Sequence, residues 1–92
     1  MNTSVEHVPG RQRYEIRVDG TTAGHLRADL DDDVVDLPHT VVYGPFEGMG
    51  LATTLVQGAL DDLRERGKPI VPTCPVVAHF IEKHPDYADL LA

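Results

Sequence analysis

The chain has a single cysteine, Cys74, which excludes an internal disulfide and a cysteine-built zinc site. Basic residues are few: 8 Lys and Arg against 15 Asp and Glu give a formal net charge of -7. Neutralising a phosphate backbone takes clustered cations, so this balance argues against a general nucleic-acid binder. No stretch approaches the roughly 18 apolar residues of a membrane span. The start, Met1-Asn2-Thr3-Ser4-Val5-Glu6, lacks the basic-then-apolar pattern of a secretory leader, and a cytoplasmic location is the expectation. No His-Glu-x-x-His pair or EF-hand loop is present, so no metal is expected. Two phosphate-binding motifs are also missing, the Gly-x-x-x-x-Gly-Lys-Ser/Thr loop and the Gly-x-Gly-x-x-Gly fingerprint. Internal repeats and low-complexity tracts are absent.

What is present fits one soluble globular domain: 92 residues, 41% hydrophobic and 25% charged. Residues 1–10 show no periodicity, end in Pro9-Gly10 and read as a flexible N-terminal arm before a single domain over residues 11–92. From Arg13 the chain alternates, with Tyr14, Ile16 and Val18 on one face of a half-buried strand. Asp19-Gly20 is a two-residue hairpin signal, followed by a strand over Thr21 to about Asp29 whose pattern weakens at Ala23-Gly24. The acidic run Asp29-Leu30-Asp31-Asp32-Asp33 reads as a solvated turn. Val34–Leu37 and His39–Tyr43 are two further β-branched runs separated by Pro38.

The period then changes. Leu51, Ala52, Leu55, Val56, Ala59, Leu60 and Leu63 recur at three- and four-residue spacing and form one helical stripe that stops near Gly67. Gly58 interrupts it at a cost of about 1 kcal/mol relative to Ala, which close packing against a sheet would explain. Pro69–Pro72 reads as a short buried strand, and Val76 to about His84 as a second helix ended by Pro85. The class is α+β: a mostly antiparallel twisted sheet of about five strands with two packed helices.

A strand ending in Tyr43-Gly44 feeds Pro45-Phe46-Glu47-Gly48-Met49-Gly50 and then the long helix. Such a junction traps anions. The first helical N–H groups lack partners, the helix dipole adds about half a positive charge, and glycines let a ligand reach the backbone. A phosphate group is thereby held without basic side chains, so the overall acidity does not exclude a phosphorylated ligand.

The segment resembles the acetyl-coenzyme A signature of the GNAT acyltransferase superfamily, Gln/Arg-x-x-Gly-x-Gly/Ala, with Gly50 and Ala52 at its last two positions and Glu47 departing from its first. A small YjdJ-like subgroup is similar to this chain from about Arg13 to Leu90. Its motifs appear in order as His39-Thr40, Glu47-Gly48-Met49-Gly50-Leu51-Ala52, Pro72-Thr73-Cys74 and His84-Pro85-Asp86-Tyr87. Val41 stands where that subgroup usually has an acidic residue.

The resemblance implies a minimal GNAT-like fold without the helices that build the acceptor side. It implies acetyl-coenzyme A as co-substrate, held by Tyr43, Glu47, Gly48, Met49, Gly50, Leu51 and Ala52, with the pantetheine arm slotted between two splayed strands. The expected reaction is acetyl transfer to a small or protein amine, and the acidic surface favours a cationic acceptor. Cys74 is the candidate nucleophile or a thiol beside the acetyl group, and His39 its candidate proton acceptor. A packed Cys74 and a backbone-bonded His39 are the structural alternatives. Tyr87 reads as a general acid or as a ring anchoring the C-terminal tail. A non-catalytic coenzyme A sensor or carrier is the alternative function, and a pure protein-interaction domain a third. The chain is expected to be a monomer or a weak dimer.

Overall fold

The computed structural model describes residues 1–92, and its elements follow from the patterns above with two corrections. Residues read as a flexible arm are part of the sheet. Thr3–Val8 is an edge strand, β1, antiparallel to β2 (Arg13–Val18) from Thr3↔Val18 to Val8↔Arg13. Only Val5 and Val8 are apolar here, and by strand alternation they point to opposite faces, so no one-sided stripe marks this strand. Its stability comes from its neighbours: Val5 packs on the core, and the His7 ring lies 4.8 Å from that of Tyr14.

At the hairpin, Asp19 (φ 49°) and Gly20 (φ 85°) both take the left-handed conformation, as a tight β-turn with right-handed twist demands. β3 (Thr21–Arg27) returns antiparallel to β2. Ile16 pairs with Gly24 and Arg17 with Thr22, leaving Ala23 as a bulge where the sequence pattern weakens. The acidic run is a hairpin rather than a plain turn. Asp29–Asp31 (β4) pairs with Val34–Asp36 (β5) around Asp32, whose φ is 55°. β6 (Thr40–Val42) then runs antiparallel to β3, and β7 (Ile70–Val71) runs parallel to β5. The seven strands make two sheets, ordered β1-β2-β3-β6 and β4-β5-β7. Ala28 breaks one long arm into β3 and β4, and Pro38 breaks the other into β5 and β6, so five continuous runs of chain supply all seven.

The helix α1 (Leu51–Glu65) lays Leu51, Leu55, Val56, Ala59, Leu60 and Leu63 on β1, β2, β3 and β6. α2 (Pro75–Lys83) packs beside α1 through Val77, Phe80 and Ile81. Together with Tyr14, Ile16, Val18 and Leu26 from the first sheet and Val35, Leu37 and Ile70 from the second, they form one apolar core. The open face of the first sheet is polar. On it, Glu15 is only 3% exposed and is held by Arg13 at 2.8 Å and Arg17 at 3.0 Å, with Arg11 at 3.7 Å.

Gly58 is explained by β1. A Cβ at this position would fall 2.7 Å from Val5 Cβ, so a side chain there would push strand and helix apart. We predict that Gly58→Val lowers unfolding free energy by about 2 kcal/mol in urea denaturation. An unchanged midpoint would show that β1 does not pack against the helix.

Candidate functional site

Two segments that start as neighbours part company near Cys74. β5 and β7 pair through Val35↔Ile70 and Asp36↔Val71, and Leu37 N–H donates to Val71 O. The last link is Cys74 N–H to Leu37 O at 2.8 Å. Thr73 N–H turns back to Val71 O and α2 begins at Pro75, so the ladder ends there. Beyond this point the chain turns toward β3 as β6. Arg27 N–H donates to His39 O and Tyr43 N–H to Ala23 O, so the odd-numbered residues bond to β3. By alternation, Thr40 and Val42 turn their backbone N–H and C=O groups to the other edge, where no strand follows β6. A cleft bounded by a free strand edge thus opens from an apex at Leu37 and Cys74.

The same alternation decides which side chains meet. Thr40 points to the helix side, where its hydroxyl lies 3.3 Å from Cys74 Sγ. Cys74 is buried at the N-terminus of α2, and Thr40 is its side-chain hydrogen-bond partner. His39 turns to the open sheet face, where its ring centroid is 6.3 Å from that of His25. The expected His39–Cys74 pairing is therefore not what the structure brings together; Thr40 occupies that place. Tyr43 also turns to the open face, and its hydroxyl meets His25 Nδ1 at 2.9 Å. The splayed strand was implied by the resemblance, but His25 and the contact of Thr40 with Cys74 were not singled out from sequence. A firm register for β6 against β3 would have revealed both.

After β6, a single 3₁₀ turn at Gly44–Phe46 carries the chain to Glu47, Gly48, Met49 and Gly50, all exposed. Gly48 (φ 80°) and Gly50 (φ 72°) are left-handed, a conformation that bends the loop into α1 and that side chains resist. No side chain caps the helix, and its first turn carries no acidic residue. The N–H groups of Leu51, Ala52 and Thr53 accordingly lack helical partners, and no carboxylate lies within their own turn. The Leu51 side chain is core, so only its backbone serves this end. The geometry suits an anion held by main-chain N–H groups at the mouth of the strand cleft.

Tyr87 is an anchor. Its hydroxyl donates to Asp61 at 2.7 Å, Arg64 lies over the ring at 5.4 Å, and Phe80 meets it edge-on. The bond to Asp61, with burial, raises the phenol to about 12. Asp61 lies in the later part of α1, away from the glycine loop.

On the open face, burial is the main influence lowering His25 below the usual histidine value of 6.5, with Arg13 and His39 adding and Glu15 opposing. Burial alone would raise Glu15, but Arg13, Arg11 and Arg17 together hold it below the ordinary carboxylate range. Because folding weakens proton binding at His25, the unfolded chain binds more protons between the folded value and 6.5, and stability rises with pH across that window. His7, lowered chiefly by burial, acts in the same sense.

The chain has counterparts among known proteins. A family profile described as GCN5-related N-acetyl-transferase matches residues 13–90. A protein called NATD1 from Bos taurus is 33% identical, over 88% of this chain and 74% of its own. The NATD1 protein of Mus musculus is 31% identical, over 88% and 76%. In fold, the chain matches the solution structure of a GCN5-like protein from Staphylococcus aureus with a TM-score of 0.71, covering 97% of this chain and 87% of that one at 19% identity.

The His25 environment is testable. We predict a proton-NMR titration midpoint below 6.5 for His25, and stability that falls on acidification through that window with a smaller slope in His25→Gln. A midpoint at or above 6.5 would contradict the buried, arginine-flanked setting.

Proposed function

We infer that this chain, which belongs to the GCN5-related N-acetyltransferase family, binds acetyl-coenzyme A in the cleft between β6 and β7 and transfers the acetyl group to an amine. The observation that carries the reading is one continuous path: an uncapped helix N-terminus with no acidic side chain in its first turn, a free strand edge at Thr40 and Val42, and an apex at Cys74. A pyrophosphate needs the first feature. An extended amide-bearing pantetheine arm needs the second, since it can add to β6 as an extra strand would. A thioester then lies near the third.

In this reading Gly48, Met49, Gly50, Leu51 and Ala52 offer backbone to the pyrophosphate. Glu47 and Tyr43 shape the two ends of the loop. Thr40 fixes the Cys74 thiol through the 3.3 Å contact, and the pair forms the floor beneath the acetyl group. The acceptor amine approaches from the polar face that carries His39. Its nitrogen attacks the thioester carbonyl, the new N–C bond forms, and the C–S bond breaks with the electron pair leaving on sulfur. His39 accepts the ammonium proton as the general base.

Direct transfer is favoured over an acetyl-cysteine intermediate because Cys74 is buried and its hydrogen-bond partner is a hydroxyl, which is a poor base. The reaction takes place in the cytoplasm. The protein acts without a metal, as a monomer or weak dimer. The non-catalytic carrier is the outcome to expect if binding is found without turnover.

Calorimetric titration with acetyl-coenzyme A tests the binding, and coenzyme A release with a panel of amines tests the transfer. Gly50→Val forces a β-branched residue into a left-handed conformation and should weaken binding at least tenfold, about 1.4 kcal/mol. His39→Ala should lower turnover by about a hundredfold with affinity preserved. Failure of the wild type to bind acetyl-coenzyme A would overturn the proposal. Wild-type turnover in His39→Ala would remove the assigned base.

A further inference from the structure

Of the 8 Lys and Arg residues in this chain, 7 have a carboxylate within 4 Å. Arg11, Arg13 and Arg17 share Glu15, Arg27 takes Asp29, Arg64 takes Asp89, Arg66 takes Asp62 and Lys68 takes Asp33. Lys83 alone has none, although acids outnumber bases 15 to 8. The nearby Glu82 approaches His79 instead, at 3.9 Å.

Lys83 lines the largest cleft of the molecule, about 360 Å³ between the first turns of α1 and the length of α2. Thr53 and Val56 form one wall, and Val76, His79, Phe80 and Lys83 form the other. The cleft joins the site already described at two points. Thr53 is the third residue of α1, and Pro75 directly follows Cys74. Its floor is apolar, with Val76 left 42% exposed, while cationic and titratable groups gather where α2 ends at Lys83 and His84. An apolar bed leading to a single unpaired cation fits a flat heteroaromatic ring system that carries a phosphate.

We propose that Lys83 is a specificity-determining residue that receives the ribose 3′-phosphate of coenzyme A, with the adenosine lying against Val76, His79 and Phe80. The assignment rests on the coenzyme A reading above and adds a selection to it. Main-chain N–H groups at α1 hold any pyrophosphate. Lys83 distinguishes coenzyme A from dephospho-coenzyme A, which differs only in that phosphate. An unpaired ammonium opposite a dianionic phosphate forms a charge-assisted contact, stronger than the exposed carboxylate pairs elsewhere on this surface.

The test is a set of calorimetric titrations at low salt with coenzyme A and 3′-dephospho-coenzyme A. Wild type, Lys83→Gln and Lys68→Gln are compared, the last removing a cation that already pairs with Asp33 and does not line the cleft. Wild type should bind coenzyme A about tenfold tighter than the dephospho form. Lys83→Gln should bind both alike, at the weaker value, and Lys68→Gln should keep the preference. Equal binding of the two ligands by wild type, or an equal loss for both in Lys83→Gln, would overturn the assignment while leaving coenzyme A binding intact. No binding of either ligand would overturn this assignment and the proposed function together.

Discussion

The structure depends on the place where backbone pairing stops. Leu37 and Cys74 share the last hydrogen bond between two segments that were parallel neighbours, and proline follows Leu37 on one side and precedes Thr73-Cys74 on the other. Thr73 N–H is turned back onto Val71 O and α2 starts at Pro75, so the ladder has no next rung. β6 is then free to pair with β3 alone, and its other edge stays open. An unpaired strand edge is normally a liability. Here its length is three residues, and the glycine loop at its far end is bent toward a helix N-terminus. A region that would otherwise be a defect in the sheet becomes a slot with hydrogen-bonding groups along one side and an anion site at its mouth.

Much of this was legible in residue order, because local chemistry decides it. Asp19-Gly20 specifies a tight turn whatever surrounds it, and the stripe from Leu51 to Leu63 specifies a helix with one buried face. Gly48 and Gly50 mark a loop that must adopt left-handed backbone. What was not legible depends on pairing between distant segments. Thr3–Val8 carries too little apolar residue to announce itself, and it is a strand because β2 offers an edge and Gly58 leaves room for Val5. The parity of β6 is the sharper case. In a strand, a shift of one residue exchanges the faces. Nothing local in His39-Thr40 says which side chain meets Cys74. The register against β3 gives that role to Thr40 and turns His39 toward His25 and the open face.

Charge tells a related story. A net charge of -7 opposes a ligand with several phosphates, yet several of the carboxylates are already paired with cations. Asp62 illustrates this: burial would raise it, but the Tyr14 hydroxyl and Arg66 together hold it low and ionised. The helix N-terminus where an anion would sit has no acidic side chain in its first turn, so most of the excess acidity lies elsewhere. Local arrangement outweighs the sum at these distances because solvent screens remote charges within about 10 Å.

The most direct test of the central claim follows individual amides. Backbone amide exchange and chemical shifts should be recorded by NMR for the free protein and for the protein saturated with acetyl-coenzyme A. The account predicts that Thr40 and Val42, whose N–H groups face the open edge, gain protection and shift together with Leu51, Ala52 and Thr53. Val41 and Tyr43, already bonded to β3, should change little. Saturation that perturbs the helix N-terminus while leaving Thr40 and Val42 unprotected would contradict strand-like docking of the ligand along β6.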